Sequence, residues 1–155
     1  MPNWKNRLWR YGPLVLWLGL IFFFSTGALA ASNTSRIIRP LMLWLYPSIS
    51  EESLQWVHFT VRKAGHFSEY AVLAILAARA FAASSRDLLV RNWFAVAVVL
   101  VLVYSLLDEF HQSFVASRTG SIYDSLIDLA GGVFGALVYW LWRKWRRPGR
   151  EYRRF

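Results

Sequence analysis

From Tyr11 to Ala31 the chain carries no charged residue at all. A helix of that length crosses the ~30 Å hydrocarbon layer of a membrane. In lipid the backbone must satisfy its own N–H and C=O groups, so such a stretch reads as a helix. Three more apolar stretches follow. One runs from about His66 to Ser84 and holds Glu69 and Arg79. The next, about Trp93 to Gln112, is rich in Val and Leu until Asp108 and Glu109. The last, about Ile122 to Trp142, carries Asp124 and Asp128 in its first two turns. The β-branched run Val96–Val103 suggests a strand in water, but the membrane argument favours helix there too. The expected fold is all-α, a polytopic bundle of about four transmembrane helices over residues 11–142. Basic tails, 1–10 and 143–155, flank it.

Composition and charge narrow the function. Hydrophobic residues make up 56% of the chain and charged ones 17%, against typical soluble values of about 45–50% and 25%. Disorder and an ordinary soluble enzyme are both excluded. The net charge of +9 sits in the two tails, and the middle of the chain is neutral. Basic residues confined to the ends of apolar segments mark membrane orientation rather than a nucleic-acid-binding stripe. With no cysteine there is neither a disulfide framework nor a Cys-type zinc site. Twelve basic residues fall in the two tails and the Ser85–Asn92 connection, against five on the other side (Arg36, Arg39, Arg62, Lys63 and Arg118). Both termini are therefore expected in the cytoplasm. Trp4, Trp9, Trp93, Trp140, Trp142 and Trp145 fall at the inner helix ends, and Trp44 and Trp56 mark the outer interface. The basic start, apolar core and Ala28-Leu29-Ala30 of the first stretch also fit a cleavable signal, so cleavage is a competing expectation. Between the first two spans, Arg39-Pro40 and then Ser50-Glu51-Glu52 suggest two short interfacial helices, the second started by Ser50.

Ionisable groups within a membrane cost about 2.5–3.5 kcal/mol each at a helix centre. Here they gather at one depth. Lys63, His66 and Tyr70 share a helix face with Glu69 beside them; Tyr104, Asp108, His111 and Gln112 share a second, next to Glu109; Asp124, Asp128, Gly131 and Gly135 follow a third. Alternating topology brings all three faces to the outer half of the bundle. The Gly131-x-x-x-Gly135 spacing lets a neighbouring helix approach closely. Each feature has a plain structural explanation, such as an Asp124 cap or a His66–Glu69 bond. Convergence of five carboxylates and two histidines with Lys63 and Arg118 points instead to one functional site. A single site requires these groups within about 10 Å of one another, the reach of one shared ligand. A Ser/His/Asp triad lacks a nucleophile-elbow context. A divalent ion on His66, Asp108, Glu109 and Asp124 is chemically apt, yet no His-x-x-x-His motif supports it, so no metal or cofactor is expected. The remaining chemistry is an anionic group held by Lys63 and Arg118 while His66 or Glu109 moves a proton.

At these residues the chain resembles the VanZ-like membrane proteins. Lys63-Ala-Gly-His66-Phe67-Ser-Glu69-Tyr70 is similar to that family's first signature, and Asp108-Glu109-Phe-His111-Gln112 with Arg118 and Asp124 to its second. Asp128-Leu-Ala-Gly131-Gly-Val-Phe-Gly135 resembles the helix that follows. Phe24-Ser25-Thr26 also fits the family pattern, which argues that the first helix is retained. Where family members often have Pro-Gly before the loop arginine, this chain has Ala116-Ser117. The family's namesake lowers sensitivity to the glycopeptide antibiotic teicoplanin, but most members lie outside resistance clusters. The resemblance therefore implies fold, membrane and an envelope role more than a phenotype.

The resulting expectation is an envelope protein with a polar pocket at the outer face. His66, Asp108 and Glu109 form its proton-handling centre. Lys63, Glu69, Tyr70, His111, Gln112, Arg118, Asp124 and Asp128 form the ligand-binding shell. Expected partners are membrane lipids and a lipid-linked cell-wall precursor or glycopeptide, and no nucleic acid. The alternatives are a non-catalytic assembly protein and a metal-dependent membrane hydrolase.

Overall fold

A computed structural model describes residues 4–28, 31–115 and 122–146. All the regular elements among them are helical: α1 (Trp4–Phe23), α2 (Ala31–Leu45), α3 (Glu51–Ala82), α4 (Asp87–Arg91), α5 (Trp93–Gln112) and α6 (Ile122–Trp145). Among the described residues, three segments are long and apolar enough to cross a membrane: Trp4–Thr26, Trp93–Gln112 and Ile122–Trp145. α3 exceeds the required length at 32 residues, yet His66, Glu69 and Arg79 leave it less apolar than those three.

The two expected interfacial helices are corrected in part. The first is α2, which continues through Pro40 instead of breaking there. Proline removes only its own N–H and bends a helix rather than always ending it. The second does not exist as a separate helix. Ser50 does start it, accepting from the Ser53 N–H at 3.1 Å, with Glu51 and Glu52 in a first turn that favours negative charge. No proline follows, and the helix runs on without interruption to Ala82. At 1.5 Å per residue α3 is about 48 Å long, more than the ~30 Å thickness of a hydrocarbon layer. Arg39 of α2 pairs with Glu51 of α3. The carboxylate holds the guanidinium above its usual pKa, but both groups are exposed and the pair contributes little.

α3 is the centre of the bundle. Tyr70, Leu73, Ala74, Ala77, Ala78 and Ala80 have no exposed surface, because α1, α5 and α6 cover that half of the helix. Large exposed apolar residues instead line the outer faces of the other helices, among them Val15, Leu16 and Phe22 of α1, Leu106 and Leu107 of α5, and Leu137 and Leu141 of α6. That distribution, apolar outside and polar within, suits lipid as the solvent. A central helix needs small residues rather than a lipid-facing coat, which accounts for the alanine-rich character of α3.

Contacts sort the helix ends into two groups. Tyr11 bonds Ser84 at 2.9 Å, Arg79 donates to the Trp9 carbonyl, and Trp93 stacks edge-on against Tyr139 beneath Arg143. The described ends of α1 and α6 nearest the basic tails therefore share one end of the bundle. The opposite end holds Ser25, His66, Asp108 and Asp124.

Candidate functional site

The glycines of α6 set the geometry. A methyl group on Gly131 would strike the Phe67 carbonyl, and one on Gly135 the Ala71 carbonyl. The backbones of α3 and α6 are thus in direct contact, as the small-residue spacing predicts. One turn before Gly131, Asp128 meets His66 across this contact. Its Oδ1 lies 3.3 Å from His66 Nδ1, but the two atoms are not aligned as a hydrogen bond, and neither Asp128 oxygen has a hydrogen-bond partner among the described residues. Gly132 turns the other way, towards Val101 of α5, and α5 delivers Glu109 to the same point. One ligand-type atom each from His66, Glu109 and Asp128 lies within 4.8 Å of the others, and all three residues are buried. This is well inside the separation a single site allows.

Around this centre the remaining expected residues divide. Asp108 accepts from Gln112 Nε2 at 2.8 Å, one turn apart on α5. Asp124, buried at the start of α6, pairs with Lys63. It is therefore more than a helix cap, and Lys63 is not free to hold an anionic ligand. Tyr70 is fully buried, its hydroxyl without a partner among the described residues, within electrostatic range of Asp108, Asp128 and Glu109. Glu69 accepts at its backbone carbonyl from Trp17 of α1 at 2.9 Å. His111 lies against Phe22 (ring centroids 4.8 Å) and 3.5 Å from Ser25 Oγ. Arg118 lies outside the described residues.

Beside the cluster is a cavity of about 190 Å³. Ser25, His58, Arg62, His66, Glu69, Asp108 and Gln112 supply its polar wall. Ile21, Phe24, Ile38 and Val61 supply its apolar wall. Such a lining fits an amphiphile with a charged head. Three of the polar lining residues, Ser25, His58 and Arg62, stand outside the sequence-based site. Arg62 lines the cavity, and its buried Nε has no hydrogen-bond partner among the described residues; in the sequence it registers only as an outer-side charge. Ser25 is buried where α1 widens into a π-turn, Phe24–Ala28, a distortion that recurs at functional sites. Its only sequence signal is its place in Phe24-Ser25-Thr26.

Fold and site together define a class: helical proteins with membrane-length apolar segments and a buried acid–imidazole cluster at one end. The chain belongs to the VanZ/LLP1 family, whose model matches residues 11–143. No curated protein and no solved structure matches it significantly.

Proposed function

We propose that this chain is a four-span protein of the bacterial cell membrane, with α3 as the fourth crossing helix and both termini cytoplasmic. Its outer-face pocket binds the anionic head group of a lipid-linked envelope component and so lowers sensitivity to glycopeptides such as teicoplanin. The carrying observation is the cavity in which a guanidinium, an imidazole and a carboxylate face an apolar wall. Family membership supports the envelope setting, and the twelve-to-five basic asymmetry supports the orientation. Arg62 takes the anion-holding role together with Arg118, because Lys63 is engaged by Asp124. His66 is the proton-handling group nearest the head group, with Asp108 beside it on the cavity wall.

The test is growth inhibition by teicoplanin and vancomycin in a susceptible bacterium expressing the protein, with Arg62→Ala, His66→Ala and Glu109→Gln at matched membrane abundance. Protection against teicoplanin that falls at least about tenfold in each variant agrees with the reading. Protection retained by all three would instead identify an assembly protein whose polar contacts only hold the helices together. A wild type that gives no protection would detach the glycopeptide reading.

A further inference from the structure

The centre of the cluster invites a different occupant from the head group beside it. His66 Nδ1 and Asp128 Oδ1 are 3.3 Å apart yet are not aligned to bond one another. Asp128 has no exposed surface, and both of its oxygens lack a hydrogen-bond partner among the described residues. A buried carboxylate normally accepts several hydrogen bonds or coordinates a metal. Glu109 brings a second carboxylate from α5, and the three ligand-type atoms lie within 4.8 Å of one another. Atoms held tetrahedrally by one ion at ~2.1 Å sit about 3.4 Å apart, so closure needs the farthest pair to approach by up to about 1.4 Å. The neighbouring acids are occupied otherwise, Asp108 with Gln112 and Asp124 with Lys63.

We infer that His66, Glu109 and Asp128 bind one divalent transition-metal ion, Zn²⁺ or Mn²⁺ in class, with an open coordination position towards the cavity. The imidazole ligand argues against Mg²⁺ and Ca²⁺, which prefer all-oxygen sets. Three protein ligands leave room for a phosphate or carboxylate oxygen of a ligand, as in metal sites that bind substrate. His66 lines the cavity, so the ion would lie where the proposed head group arrives. The ligand trio differs from the set weighed on residue chemistry alone, because Asp128 rather than Asp108 or Asp124 faces His66. This inference deepens the pocket reading and rests on it only for what the open position meets.

The experiment uses the full chain in detergent, stripped with EDTA, exposed separately to Zn²⁺, Mn²⁺, Co²⁺ and Mg²⁺, desalted, and analysed for metal. The wild type is expected to retain about one equivalent of Zn²⁺ or Mn²⁺ and of Co²⁺, and no Mg²⁺. Asp128→Asn and His66→Ala should each bind more than about 100-fold more weakly, since even outer-shell changes cost 10–100-fold. The visible Co²⁺ spectrum should disappear in His66→Ala. Retention below about 0.2 equivalents by the wild type would overturn the inference, as would variants that bind as well as the wild type. The wild-type result decides the matter even where a variant does not fold. Absent metal alongside intact antibiotic protection would remove the ion and leave the pocket reading standing. Bound metal without protection would do the reverse.

Discussion

Asp124 and Asp128 lie one helical turn apart and are both buried, but they have different partners. Asp124 meets the Lys63 ammonium, whereas Asp128 faces His66, which can shed its proton. Removing the partner of a buried charge is costly, up to 3–5 kcal/mol. Lys63 retains 20% side-chain exposure and Asp124 10%, so Lys63→Met should cost somewhat less, about 2–3 kcal/mol. Adding Asp124→Asn to Lys63→Met should restore most of that loss. Thermal unfolding of the two single variants and the double variant in detergent measures the coupling. Additive losses would show that the pair contributes nothing. The sequence makes both aspartates visible as misplaced charges in an apolar helix, because spacing alone fixes their shared face. Which base faces which acid depends on the rotation of two helices about their axes. That information lies in the packing, so the Lys63–Asp124 pairing and the place of Arg62 on the cavity wall emerge only in three dimensions.

Among the elements, the contact of α3 with α6 decides the site. Gly131 and Gly135 are legible in the sequence as a close-packing stripe, and their hypothetical methyl groups meet backbone, which no rotamer change relieves. Gly135→Ala should therefore destabilise the protein by about 1–3 kcal/mol and weaken the cluster two turns away. Gly65→Ala is the matched control. Nothing lies within 4 Å of its added methyl, so helix propensity should make it neutral or stabilising by up to about 1 kcal/mol. Equal losses from the two changes, measured by thermal unfolding, would contradict the close approach. The continuity of α3 is the least legible element. His66 and Glu69 look like the edge of a span when each segment is weighed against lipid. In the fold this half of α3 is sheltered by three other helices, so polar residues need not mark its end. Likewise, Arg39-Pro40 looks like a break although α2 runs through it.

For the whole molecule, the apolar exterior and the polar end make one prediction about orientation. The chain has no cysteine, so single introduced cysteines report topology without a background. Ser113→Cys, exposed at the polar end beyond α5, should react in intact cells with a membrane-impermeant thiol reagent. Arg86→Cys, exposed just before α4 at the opposite end, should react only after lysis. The reverse pattern would place the pocket inside. The central claim, that the pocket takes an anionic lipid head group, is tested most directly by native mass spectrometry of the purified protein. A long-chain polyprenyl phosphate and the matching uncharged polyprenol serve as the two probes. The account predicts that the phosphate binds at least about tenfold more tightly, and that Arg62→Ala removes most of this preference. Equal binding of phosphate and alcohol, or a preference unchanged in Arg62→Ala, would contradict it.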